Sequence, residues 1–332
     1  MPTEVLAVVF TDVRPDAVPA AGVLAAVEVV VAPGVSAAFG RLLGHPGIHD
    51  TDRGRSPMTE NWAGWLHELL KAGIDALGVD IAGEPVTGLR DRSVGCRVST
   101  PEGARWLRVV TEPRFWATGP AWTGNVDANS IRGVGKPVVD DVAEWDEAGR
   151  RARAELMTLA PGTRISEDMA LRRPAEFGDA WWEELRSSLD ALAAQPTERV
   201  CLDEQLVHRR LLAAFGVEIN PAQLEWTTAH GDLHWANLTG PRCWLLDWES
   251  WGTAPAGYDA ALLLGTSLLQ PEIAARVHAV FCDVLDAAGG RLAQLLAAAK
   301  LLGLVEYGDH PELAIPLHRH ARTIVDQLTV RR

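Results

Sequence analysis

The part of this 332-residue chain that most restricts its fold is His-Gly-Asp-Leu-His-Trp-Ala-Asn at residues 230–237, with Asp247-Trp248-Glu249 beginning ten residues after Asn237. Thr239-Gly240-Pro241 in between has turn chemistry, and Cys243 to Leu246 reads as a short apolar strand, so the segment is expected to fold as a hairpin. A hairpin brings Asn237 and Asp247 together and leaves Asp232 on the loop before it. A carboxylate and a neutral amide oxygen are donors that suit a hard divalent cation. A loop carboxylate beside that cation is placed to accept a proton. Asp232 is therefore a candidate base and Asn237 and Asp247 candidate ligands of a hard divalent cation, the set that phosphoryl transfer from a nucleotide requires.

The protein kinase catalytic loop, H-R-D-L-x-x-x-N, has the same frame. His230, Asp232, Leu233 and Asn237 match it, and Gly231 replaces the Arg. That Arg often reads a phosphorylated activation loop. Here Gly231, and Asp247-Trp248-Glu249 in place of Asp-Phe-Gly, lead us to expect a site assembled without one. His230 reads as an architectural hydrogen-bonding residue. Glu249 has two readings, a further carboxylate near the cation or an ion-paired one. A zinc triad of His230, Asp232 and His234 would need further His or Cys ligands, and none follows at useful spacing.

These residues, with Gly257-Tyr258-Asp259 and the apolar run Ala260 to Leu264, resemble the aminoglycoside phosphotransferase and choline kinase-like superfamily. The resemblance is specific over about residues 228–265, extends from Pro85 to the C-terminus, and is weak or absent before residue 80. It implies an α+β, bilobal protein kinase-like fold with a small antiparallel β lobe and a large, mainly helical lobe. It also implies Mg2+, ATP or GTP as co-substrate, and a small hydroxyl-bearing acceptor. In this reading Asp259 is a structural brace for the catalytic loop.

The rest of the chain divides into residues 1–80, an N-terminal extension or appendage; 81–159, a nucleotide-binding small lobe; and 160–332, a helical catalytic and substrate-binding lobe. In the first, Val5 to Phe10 and Val23 to Val31 look like strands. A helix from Met58 (also a candidate start position) to about Leu77 would present Trp62, Trp65, Leu66, Leu69 and Leu70 on its apolar face, capped by Thr59 or Asn61. In the second, strands are expected at Val86 to Arg92, Cys96 to Thr100 and Ala104 to Val110, with turns at Ser93 to Gly95 and Pro101 to Gly103. Two more follow at Val138 to Trp145 and Arg151 to Leu159. By the resemblance, Ser93 and Gly95 would cover the nucleotide phosphates and Met157 would lie in the purine-reading hinge. Arg108 would replace the usual phosphate-binding Lys of the third strand, and such a swap is not conservative. Glu112 and Asp127 are the two candidates for its acidic partner. The third part shows helical periodicity at Ala180 to Ala194, Asp203 to Phe215, Pro271 to Gly303 and Leu313 to Leu328. Trp235, Trp244, Trp248 and Trp251 either stack on substrate or pack the core.

A net charge of −13 argues against nucleic acid as a partner and suits a cationic small molecule or simple solubility. No stretch approaches the ~20 apolar residues of a membrane span. Four scattered cysteines read as reduced thiols of a cytoplasmic protein. The leading functional expectation is a small-molecule O-phosphotransferase acting on an antibiotic of aminoglycoside, nucleoside or macrolide type. The alternatives are a metabolite kinase of choline or homoserine type and a nucleotide-binding pseudokinase scaffold. The sequence leaves the oligomeric state open.

Overall fold

Apolar residues three and four apart build helix α1, Trp62–Leu77, which buries Leu66, Leu69 and Leu70. The computed structural model describes residues 62–88, 92–220 and 224–329. The expected strands at Val5 to Phe10 and Val23 to Val31, and the helix start with its caps, lie outside the described residues.

After α1 come strands β1 (Asp80–Ile81), β2 (Val86–Thr87), β3 (Ser93–Thr100) and β4 (Gly103–Pro113), then helix α2 (Gly119–Asp127), then β5 (Val139–Glu147) and β6 (Arg150–Thr158). The strands form one antiparallel sheet in the order β1-β3-β4-β6-β5, with β2 also paired to β3. Helix α1 lays Leu66, Leu69 and Leu70 onto Val94, Cys96, Leu107, Val109 and Ala154 of this sheet. The small lobe's core thus includes α1.

The turn expected at Ser93 to Gly95 is corrected. Gly95 pairs with Val86 on one side and Arg108 on the other, inside the sheet. A Cβ at Gly95 would stand 2.8 Å from the Trp106 indole, so this glycine serves packing rather than a turn. The Gly88 amide donates to the Ser93 carbonyl at 2.8 Å, so the β2–β3 pairing continues past Thr87 and Val94. Ala148 and Gly149, at φ of 50° and 80°, make the turn that joins β5 to β6.

Beyond Thr158 follow β7 (Thr163–Arg164), α3 (Asp179–Ala193), α4 (Glu204–Phe215), β8 (Trp226–Ala229), β9 (Thr239–Gly240), β10 (Gly252–Pro255) and α5 (Tyr258–Ser267). Helices α6 (Pro271–Val280), α7 (Cys282–Leu285), α8 (Ala288–Glu306) and α9 (Ala314–Thr329) complete the lobe. Its core centres on α5, buried along its whole length, and on α8. By length and composition α8 is apolar enough to cross a membrane, yet 72% of that stretch is buried within the protein, as befits a core helix. The strand expected at Cys243 to Leu246 contracts to a single bridge, Leu238 to Leu245, because the Leu245 amide donates to the Gly135 carbonyl at 2.8 Å instead of continuing a ladder.

Candidate active site

Strands β8 and β10 pair antiparallel and hold the two ends of the segment 230–251. Directly after β8 the chain turns at Gly231, with φ of 81°. A side chain there would be strained by that backbone and would meet Cys201 Sγ and the Ser250 carbonyl, each at 2.6 Å. This explains the glycine where the kinase frame has Arg. Asp259, in the first turn of α5, accepts the His230 amide at 2.7 Å and the Gly231 amide at 2.9 Å. The expected brace is thus built from two charge-assisted hydrogen bonds. Burial raises the Asp259 carboxyl to about 6, a shift that those two amides oppose. Burial lowers the His230 imidazole to about 4. It is therefore neutral near pH 7, and its Nε2 donates to the Leu246 carbonyl at 2.9 Å. His230 thus serves as an architectural hydrogen-bonding residue.

Asp232 follows with 28% of its side chain exposed, and its Oδ1 lies 2.7 Å from Lys300 Nζ of α8. Lys300 also donates to the Gly231 carbonyl at 3.1 Å. His234 Nε2 stands 3.6 Å from Asp232 Oδ2. Burial alone would raise the Asp232 carboxyl, but Lys300 and His234 hold it well below the usual carboxylate range. Burial likewise opposes charge on Lys300, and Asp232 outweighs it, so Lys300 is a firm cation. Asn237 Nδ2 donates to the Asp232 carbonyl at 3.0 Å, and the Leu246 amide donates to the Asn237 carbonyl at 2.8 Å. These bonds fix Asn237 beside both Asp232 and the hairpin that delivers Asp247.

Asp247 sits in the left-handed region at φ of 63°, a strained conformation for a residue with a side chain. Its carboxyl is raised by burial and by the Glu249 charge, with Asp232 adding to the effect and Arg108 opposing it. A group in that field gains from a nearby cation. The donor set of Asn237 and Asp247 therefore suits Mg2+, which takes one or two protein oxygens and completes its shell with phosphate and water. Among the described residues no cluster of three or more His, Cys, Asp or Glu would hold a metal unaided.

Arg108 projects from β4 and donates to Glu155 Oε2 at 3.3 Å and to Glu249 Oε1, and it stands 3.8 Å from Asp247 Oδ1. Burial works against the Arg108 charge, and Glu249, Asp247 and Glu155 more than restore it. Neither expected acidic partner serves it. Glu112 pairs with Arg92 at 2.7 Å, and Asp127 with Arg199 at 2.6 Å. The acid comes instead from β6, where Glu155 stands opposite Arg108 in register and is 1% exposed. Helix α2 contributes an amide: Asn125 Nδ2 donates to Glu155 at 2.8 Å, and its Oδ1 accepts the Trp248 amide at 2.8 Å. At Gly124 a Cβ would lie 2.7 Å from Glu249 Cα, so α2 meets the Asp247–Glu249 segment backbone to backbone.

The structure thus brings together Asp232, Asn237, Asp247 and Arg108. Ser93 and Gly95 are strand residues, while Met157 is 6% exposed near the end of β6. Trp235, Trp248 and Trp251 belong to the large core, whereas Trp244 is half-buried. Sequence reasoning missed Lys300 and Glu155. The signal for Lys300 was its isolation: it is one of three lysines in the chain and lies within the apolar run Leu295 to Leu304.

No family model and no curated protein matches the sequence. Among solved structures, a thermostable mutant of aminoglycoside phosphotransferase APH(4)-Ia in ternary complex with ADP and hygromycin B is similar at a TM-score of 0.53 and 13% identity, covering 77% of this chain and 97% of that one. The apo form of the mutant gives 0.51 and 13% identity over 78% of this chain and 98% of that one. APH(4)-Ia itself gives 0.52 and 12% identity over 80% and 98%. At such identity the likeness concerns architecture, and with the two lobes described above it establishes that the chain has the aminoglycoside phosphotransferase-like, bilobal protein kinase fold.

Proposed function

We propose that this protein is a cytoplasmic O-phosphotransferase that moves the γ-phosphoryl of ATP or GTP to a hydroxyl of an antibiotic of aminoglycoside, nucleoside or macrolide type, as a resistance function. The observation that carries this reading is the convergence of Asp232, Asn237 and Asp247 on one braced loop and hairpin. Asp232 is ionised and orients the acceptor hydroxyl. It takes that proton as the hydroxyl oxygen bonds to the γ-phosphorus and the β-phosphate oxygen leaves. Held at low proton affinity, Asp232 is a weak base, which fits a loose transition state in which the proton moves late. Asn237 and Asp247 would hold magnesium, which when bound neutralises charge on the phosphate oxygens. Arg108 offers a planar fork toward the phosphates.

A metabolite acceptor of choline or homoserine type would use the same machinery, since acceptor choice rests on the variable parts of a shared fold. A nucleotide-binding scaffold is favoured by one observation: Arg108 already bonds Glu249 and stands 3.8 Å from Asp247, bringing a cation of its own to the candidate metal ligand. The test is mass spectrometry of an acceptor panel incubated with protein, magnesium and ATP or GTP. Hygromycin B belongs at its head, because APH(4)-Ia was solved with it; choline and homoserine complete it. A gain of one phosphoryl group, lost in Asp232→Asn, supports the reading. Nucleotide binding without transfer to any acceptor favours the scaffold.

A further inference from the structure

We propose that Lys300 is the positioning residue of the candidate base, pinning Oδ1 of Asp232 so that Oδ2 alone is offered to the acceptor hydroxyl. The inference rests on the phosphotransferase reading above.

A free aspartate presents two equivalent oxygens and rotates between them. Lys300 breaks that symmetry, with its Nζ 2.7 Å from Oδ1, while Oδ2 faces His234 Nε2 at 3.6 Å. The lysine is itself held in place. It is 6% exposed on α8, and a second donor contact fixes it to the Gly231 carbonyl at 3.1 Å. A buried ammonium is tolerated only where close partners replace its water, and both partners here lie on the catalytic loop. The same loop is bonded by Asp259 of α5 through the amides of His230 and Gly231. Helices α5 and α8 pack against each other, so residues 230–232 are clamped from two elements of one rigid core. Asp232 keeps 28% of its side chain exposed, so Lys300 restrains the base without enclosing it.

This arrangement also bears on which acceptor group the base recognises. Lys300 matches the charge of Asp232, so an acceptor ammonium gains little at this carboxylate. Oδ2, which Lys300 does not bond and His234 faces only at 3.6 Å, selects a hydroxyl that donates to it. Acceptor cations, where present, must find other carboxylates.

The test uses Lys300→Met, Lys300→Gln and Lys300→Arg in the full chain, with an acceptor identified by the panel. Lys300→Met is expected to lower kcat about 100-fold while leaving the KM for nucleotide and acceptor within about twofold, as misplacement of a reacting group by about 1 Å would. Lys300→Arg, which keeps charge and donors, should recover part of the loss, and Lys300→Gln, which keeps a donor only, should recover less. A lysine that merely supports packing gives a different pattern, in which kcat, nucleotide affinity and melting temperature fall together and Lys300→Arg restores nothing; that result overturns the inference. So does a kcat in Lys300→Met equal to that of the parent. If Lys300→Met does not fold, Lys300→Gln decides, and parental kcat there overturns the proposal. Absence of transfer by the parent protein defeats the phosphotransferase reading and this inference together, whereas parental transfer unchanged by the substitutions defeats the inference alone.

Discussion

The loop that carries Asp232 and the side of the small lobe that carries Arg108 are wired in different ways. On the loop, the Lys300 bond to Asp232 spans 68 residues, but the other bonds that shape the site join residues nearer in sequence: Asp259 to His230 across 29 residues, Leu246 to His230 across 16 and Asn237 to Asp232 across five. In the small lobe, Arg108 bonds Glu155 across 47 residues and Glu249 across 141. The first set depends on local chain geometry and the second on strand register and contact between lobes.

Asp232→Asn tests the loop most severely. It removes the base at nearly constant volume, so transfer should fall about 10³- to 10⁴-fold, in the upper range for a general base. Nucleotide affinity and melting temperature should stay near parental, and a retained rate in the acceptor assay would remove Asp232 from the role. Asp259→Ala should damage the same loop from behind. It strands two buried amides, at a cost of about 1–3 kcal/mol for each. Denaturant unfolding should register the loss, and Asp259→Asn, which keeps one acceptor oxygen, should lose less.

How far each region was legible in the sequence follows from the same contrast. Asp232, Asn237 and Asp247 were readable because they match the kinase frame in spacing and the turn at Thr239-Gly240-Pro241 lies between them. The helices of the large lobe were readable from their period, as Leu185 and Leu192 on α3 and Val207 and Leu211 on α4 illustrate. Ser93 and Gly95 misled because glycine marks both turns and tight packing, and only the position of Trp106 tells the two apart. Glu155 was hidden because its pairing with Arg108 depends on the β4–β6 register, to which no local pattern points. Lys300 lies 68 residues from Asp232, and only the packing of α8 behind the loop joins them.

Titration offers a smaller test of the braced loop. His230 has its folded pKa lowered from 6.5 to about 4, so its unfolded form binds the proton first. Its contribution to stability is complete above pH 6.5 and is lost as pH falls toward 4, with a ceiling of about 3 kcal/mol. Asp259 acts oppositely. Its folded pKa is raised from 3.8 to about 6, so the folded state takes up the proton first and gains stability over the same descent. The two groups offset one another, and the parent protein should show a shallow pH dependence here. Asp259→Asn removes the offset, and its unfolding free energy should fall more steeply than the parent's between pH 6.5 and 4, by about 2 kcal/mol. Parallel profiles would mean that Asp259 does not titrate in this range.

The smallest effect is expected at Arg108→Lys, and it addresses the other side of the comparison. Lysine restores the residue usual on this strand in the resembling family but presents a single point charge. It cannot keep Glu155 and Glu249 on separate prongs of a planar fork, as Arg108 does. If Arg108 binds phosphate while held by these acids, the nucleotide KM should rise about tenfold or less, with kcat changed little. An unchanged KM would confine Arg108 to the ion-pair network. A lower KM would mean that Glu155 and Glu249 hold the arginine away from the nucleotide, and that the contact between lobes limits binding.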